Sequence, residues 1–114
     1  MESLSLNTLA DEHLAIARDH ASGRSAKTLY GGHEHTMRQT LIALAAGHSL
    51  GEHDSPIEAT LQVVRGNVRL RTETASWDGT VGDLLGIPPE RHSLEALSDA
   101  VVLLTVLSDN PHEG

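Results

Sequence analysis

The sequence of 114 residues contains no cysteine, which excludes disulfide bonds, thiol nucleophiles, iron–sulfur clusters and thiolate zinc sites. Aromatic side chains are scarce as well, with one Trp, one Tyr and no Phe. Proteins bind nucleic acids through Lys and Arg on the phosphates and through aromatic rings on unpaired bases. With 8 basic against 16 acidic residues, the sequence predicts no nucleic-acid partner.

Long apolar segments are also missing from the sequence. The longest runs, 41–46 and 100–104, are far shorter than the roughly 20 residues that cross a bilayer. No basic stretch precedes an apolar one near the N-terminus, where Glu2 stands, so we expect no signal peptide. These features predict no membrane partner and a cytoplasmic location.

The pattern of apolar residues predicts a short helix followed by strands. Residues 8–21 have helical spacing, with Asn7 or Thr8 as the N-cap, and we divide the chain into an N-terminal helical segment 1–25, a barrel 26–108 and a C-terminal tail 109–114. The fold class is therefore all-β, a sandwich or small barrel with an N-terminal helix. The predicted strands are 26–30, 36–46, 58–65, 67–74, 81–87, 92–97 and 100–107.

Turn signals and alternation refine this prediction. Gly66-Asn67 lies between two predicted strands and favours a tight hairpin, and Asp78-Gly79 predicts another turn. In 67–73, apolar Val68 and Leu70 alternate with Arg69 and Arg71, as in a strand with one face in water.

Two segments, 47–66 and 82–92, carry the clearest motifs. The first contains Gly47, His53 and Gly66, and the second contains Gly82, Pro88 and His92. Together they resemble the two motifs of the cupin superfamily, the RmlC-like proteins. The resemblance implies a cupin-type double-stranded β-helix, which is a jelly-roll barrel, and a homodimer in which the strand at 26–30 crosses to the second subunit.

The metal ligands of the family are only partly present in this chain. In the family, two histidines and a glutamate of the first motif and a histidine of the second hold the metal. Here Ser55 stands at the second histidine position and Ala59 at the glutamate position, so His53 and His92 remain. The resemblance thus implies a degenerate metal-binding motif.

The residues themselves point to the same pair. In the predicted strand, His92 has the same parity as Leu94 and Ala96: the three are spaced two residues apart and so lie on one face. Because this face is apolar, we expect His92 to face the lumen of the barrel. We predict His53, His92 and Ser55 as ligand-binding residues; the alternative is that both histidines are hydrogen-bonded core residues. A divalent transition metal needs a third ligand beside His53 and His92, and the candidates are Glu58, His48, His33 and His35.

Three functions follow from the sequence. The first is a small cupin-fold protein that binds a small molecule in its lumen, with no certain cofactor. The alternative is a metal-dependent enzyme of dioxygenase or isomerase type that uses His53, His92 and a substitute ligand, and a third is a structural or regulatory homodimer. Whether the protein is an enzyme stays open. On the central strand, Arg38 or Gln39 is a further candidate for lining the lumen.

Overall fold

The computed structural model describes residues 1–32, 34–53 and 58–107, and it describes only the backbone of Glu52 and His53. In these residues one helix precedes nine strands, which confirms the all-β class with an N-terminal helix. The elements are α1 (Leu6–Asp19), β1 (Arg24–Tyr30), β2 (Met37–Leu44), β3 (Ser49–His53), β4 (Glu58–Arg65), β5 (Val68–Arg71), β6 (Ser76–Gly79), β7 (Leu84–Gly86), β8 (His92–Ala96) and β9 (Ala100–Leu107).

The strands form two facing antiparallel sheets. The first, sheet A, has the order β1-β2-β9-β4-β7, and the second, sheet B, has the order β3-β8-β5-β6. Apolar side chains from both sheets meet between them and form the barrel core, which includes Ile42, Leu44, Val63, Val68 and Leu94. Because strand residues alternate between faces, this cluster identifies the inner positions of each strand.

The helix covers the outer face of sheet A. Its buried residues Ala10, Leu14 and Ala17 pack with Leu41 and Ala43 of β2, which alternate with the inner residues of that strand. β2 and β9 are therefore apolar on both faces where the helix covers them, whereas β5 alternates between buried and more exposed residues as predicted. The helix begins earlier than expected: its N-cap is Ser5, whose hydroxyl accepts a hydrogen bond from the Thr8 amide at 3.2 Å.

The two predicted turns are wrong. Gly66-Asn67 does not close a hairpin, because β4 lies in sheet A and β5 in sheet B, so this turn carries the chain from one sheet to the other. Asp78 and Gly79 end β6, where they pair with Arg69 and Val68. A Cβ on Gly79 would overlap the ring of Trp77, so close packing rather than a turn explains the glycine.

The N-terminal strand pairs within its own chain. β1 is hydrogen-bonded to β2, begins two residues before the predicted boundary at 26, and forms one edge of sheet A. The predicted tail 109–114 lies outside the described residues. Among the helices described, none is both long and apolar enough to cross a membrane.

Candidate functional site

The barrel has two ends that differ in structure. At one end, which we name the closed end, the Gly47 amide donates to the Ala96 carbonyl at 2.9 Å and the Leu97 amide donates to the Asn67 carbonyl at 2.9 Å. These backbone hydrogen bonds join the turns that link the two sheets. The opposite end, the open end, is where β2 and β8 begin and β9 finishes.

A carboxylate strengthens the closed end. Asp99 accepts a hydrogen bond from the Ala46 amide at 2.8 Å and another from the Arg18 guanidinium at 2.6 Å. The Ala46 hydrogen bond, followed by that of Arg18, holds the pKa of the Asp99 carboxyl below its usual range. The contacts tie the helix to two turns of the barrel.

His92 is the buried polar side chain at the open end. Its side chain is 3% exposed, and it is the one buried polar or charged residue in the described part of the chain. Its Nδ1 lies 2.9 Å from the carbonyl oxygen of Glu90, which can only accept a hydrogen bond, so Nδ1 carries a proton. In the neutral ring, the lone pair is therefore on Nε2, the nitrogen that faces away from this contact.

His53 lies next to His92 in the register of sheet B. The two residues are direct Cα partners of β3 and β8, and a bulge precedes His53 on β3. The side chain of His53 is not described, and Ser55 lies outside the described residues. The structure thus brings the backbones of the two motif histidines together at the open end.

Three inner positions face this pair from sheet A. Arg38 of β2 is paired with Val106 of β9, and Val106 is paired with Ala59 of β4. Ala59 has the same parity as Leu61 and Val63 in the barrel core, so the position that holds glutamate in the family faces inward but carries only a methyl group. Glu58 has the opposite parity, and it lines a depression of about 430 Å³ at the edge of the sheet that Thr60, Thr105, Ala59 and Val106 line as well.

The other candidate ligands lie apart from His92. His48 is at the closed end, where its carbonyl accepts from the Ala96 amide, about 13 Å along β8 from His92 at the usual rise per residue. His35 is exposed in the segment before β2, and its ring packs edge-on against Tyr30 with 5.1 Å between the centroids. His33 lies outside the described residues.

The described side chains do not fit the metal that the cupin resemblance implies. A transition-metal site in a protein normally has three or more imidazole, carboxylate or thiolate ligands. Among the described residues, no group of three His, Asp or Glu side chains could hold a metal ion. His92 supplies one suitable nitrogen, and Ala59 supplies none.

Register also separates Arg38 from Gln39. Gln39 faces outward and donates a hydrogen bond to the Thr105 hydroxyl at 3.2 Å. Arg38 shares the parity of Ile42 and Leu44, so it occupies an inner position at the open end. From the sequence alone, either Arg38 or Gln39 could face the lumen, because residues 41–44 are apolar on both faces of the strand. The packing of the helix on Leu41 and Ala43 decides between them.

Side chains fill the described interior below this end. A small apolar crevice of about 100 Å³ lies beside the core cluster and is lined by Leu70, Trp77, Leu85 and Pro88 among others. Pockets for drug-sized ligands usually measure about 300–1,000 Å³. The crevice is therefore too small for such a ligand.

Comparison with known proteins identifies the fold. No protein-family model matches the sequence, and neither does any curated protein. An RmlC-like cupin from Desulfovibrio desulfuricans is similar in structure, with a TM-score of 0.70, 19% identity and coverage of 94% of this chain and 96% of that one. A cupin 2 conserved barrel domain protein from Salinispora arenicola has a TM-score of 0.69 and 18% identity, covering 97% and 92%.

A third similar structure is that of KdgF. KdgF from a Halomonas species has a TM-score of 0.63 and 17% identity, and the match covers 76% of this chain and 81% of that one. At these identities the similarity concerns the fold. The prediction drawn from Gly47, Gly66, Gly82 and Pro88 is confirmed: this chain is a small protein with the cupin fold.

Proposed function

We propose that the protein binds a small organic molecule at the open end of its barrel, beside His92 and without a resident metal ion. The observation that carries the proposal is the burial of His92 at this end, with Nδ1 held by the Glu90 carbonyl. Small barrels that are not wholly filled commonly hold one modest ligand in this way. Ala59, in place of a carboxylate, favours an organic ligand over a metal.

The inner surface of the open end suits such a ligand. Thr40 is half-buried and lies one inner position further into the barrel than Arg38, beside Leu104. Apolar walls with a few fixed polar groups are typical of small-molecule sites. His92 and Thr40 are the groups that would orient the ligand.

The proposal is tested by screening a library of small organic molecules against protein treated with a chelator. We expect binders that protect the wild type against thermal unfolding and have no effect on His92→Ala. The matched control is His48→Ala, which removes the same ring at the closed end and should bind as the wild type does. Binding that persists in His92→Ala would contradict the proposal.

The second candidate is the metal-dependent enzyme, and the observation that favours it is the direct pairing of His53 with His92. Its ligands would be these two histidines and a third group. Elemental analysis of protein purified without chelator separates the two candidates. One transition metal per chain that is lost in His53→Ala and His92→Ala, but kept in His48→Ala, would replace the first proposal by this one.

We also propose a homodimer. Within the part of the chain that the structure describes, β1 has no strand on its second edge, and the apolar side chains of Tyr30 and Met37 beside it are 48% and 40% exposed. Edge strands with apolar neighbours often pair with a second chain. Light scattering at micromolar concentration should give twice the mass of the chain, and the mass of a single chain would overturn this proposal.

A further inference from the structure

At the open end, Arg38 combines an inner strand position with a guanidinium that, like that of Arg24 on β1, has no partner among the described residues. Arg18, Arg65, Arg69 and Arg71 each form an ion pair with an Asp or Glu. Arg38 makes no hydrogen bond or ion pair through its guanidinium with any residue that the structure describes.

The position of Arg38 links this charge to the proposed site. It lies on the inner face in one row with Val106 and Ala59, and Thr40 follows it on the same face. Val106 and Ala59 carry no charge, and Glu58 belongs to the opposite face of the sheet. The row therefore offers one cation and no anion to whatever enters the barrel.

The chemistry of arginine indicates what would occupy such a place. A guanidinium presents two parallel N–H donors that match a carboxylate, and this pairing is stronger and more directional than neutral hydrogen bonds. Sites for phosphate usually add backbone amides at a helix N-terminus. The helix α1 packs on the outer face of sheet A, so it offers no such amides to the inner row.

We propose that the ligand of the open end is a small organic acid whose carboxylate pairs with Arg38. This inference rests on the proposed function and specifies its ligand class: Arg38 determines that the ligand is anionic, and His92 on the facing sheet contacts its polar remainder. The apolar side chains of Val106 and Leu104 bound the site from β9.

The test compares acids with their uncharged amides. Lactate, malate and gluconate, each beside lactamide, malamide or gluconamide, are titrated into the ¹⁵N-labelled protein and followed by NMR. We expect at least one acid to bind and its amide to bind at least tenfold more weakly. Loss of a hydrogen bond to a charged group typically weakens binding by about ten- to a hundredfold, so Arg38→Ala should show a loss of this size.

Two further variants separate charge at this position from charge in general. Arg38→Lys should recover part of the affinity, because it keeps the charge but not the paired donors. Arg71→Ala removes an equal charge from the outer face of sheet B and should leave affinity unchanged. Arg38 and Arg71 are both exposed, and the NMR spectrum of each variant verifies that it is folded.

The outcomes distinguish this inference from the proposed function. Equal binding of acid and amide, an unchanged affinity in Arg38→Ala, or tighter binding of inorganic phosphate than of any acid overturns the carboxylate inference and leaves binding beside His92 intact. Acid binding that depends on Arg38 but not on His92 supports the carboxylate and removes His92 from the site. If neither acids nor amides bind the wild type, the carboxylate inference is overturned, and the wider library described above decides the proposed function.

Discussion

The two ends of the barrel are built from the same strands but by different chemistry. At the closed end the inner residues are small or apolar, such as Leu44, Ala96 and Ala100, and backbone hydrogen bonds join the turns. At the open end the inner positions of the same strands hold Arg38, Thr40 and His92. On β2 and β8 the inner residues change from apolar to polar toward the open end, whereas β9 stays apolar as far as Val106. Under the proposed function, stability is concentrated at one end and recognition at the other.

The largest expected difference in stability between the two ends can be measured on strand β2 alone. Leu44 is 1% exposed in the core at the closed end, so Leu44→Ala should lower the free energy of unfolding by about 3 kcal/mol. Thr40→Ala, at the half-buried inner position toward the open end, should cost less than about 1 kcal/mol. Chemical denaturation measures both, and equal costs would contradict the division between the ends.

The next largest loss of stability is expected at a turn glycine of the closed end. Gly66 has a φ of +71°, and a Cβ at this position would overlap the carbonyl oxygen of Asp99. Gly66→Ala should therefore destabilise the protein by about 2–3 kcal/mol through strain and overlap together. Gly47→Ala is the control, since Gly47 has a φ of +85° with open space around it. If the two variants are equally stable, the overlap does not matter.

How far these features can be read from the sequence depends on the residue. Gly47, Gly66, Gly82 and Pro88 predict the barrel because turns and strand exits restrict these positions most strongly. The turn at Gly66-Asn67 was wrongly predicted as a hairpin, since a turn between two sheets uses the same residues as a turn between neighbouring strands. Gly79 likewise could not be explained from the local sequence, because the reason for a glycine there is its close packing against Trp77.

The candidate site was predicted in part for related reasons. Parity predicts that His92 faces inward, as the structure confirms, because β8 is apolar on one face only. Arg38 could not be assigned in the same way, because both faces of β2 are covered, one by sheet B and the other by the helix. The inner face became clear only from the packing of Leu41 and Ala43 against α1.

The carboxylate of Asp99 makes the closed end sensitive to acid. Its pKa is lowered in the folded protein, so its stabilising contribution is complete above the ordinary aspartate pKa of about 3.9 and is lost as the pH falls through the lower folded value. Asp99→Asn should cost about 1 kcal/mol at neutral pH, because the amide is uncharged and its single oxygen replaces the two that accept from Ala46 and Arg18. Denaturation of both proteins from neutral pH to pH values below the folded pKa measures the difference, which should shrink over that lowest range; a constant difference would exclude the charge as its cause.

The smallest effect on stability is expected at His92. His92→Leu removes the hydrogen bond to the exposed Glu90 carbonyl, which water can replace, and a further interaction of His92, while leucine adds apolar burial that offsets both losses. We expect the free energy of unfolding to change by less than about 1 kcal/mol. A loss several times larger in thermal or chemical denaturation would indicate that His92 serves the core rather than a ligand.

The central claim is that the open end binds a small organic molecule without a metal ion. Its most direct test is NMR of the chelator-treated, ¹⁵N-labelled protein titrated with the best binder from the screen. The account predicts saturable shift changes concentrated at Arg38, Thr40, Ala59 and His92, with Gly47, Gly66 and Ala96 unaffected. Changes centred on the closed end, or binding that appears only after a divalent metal is added, would contradict it.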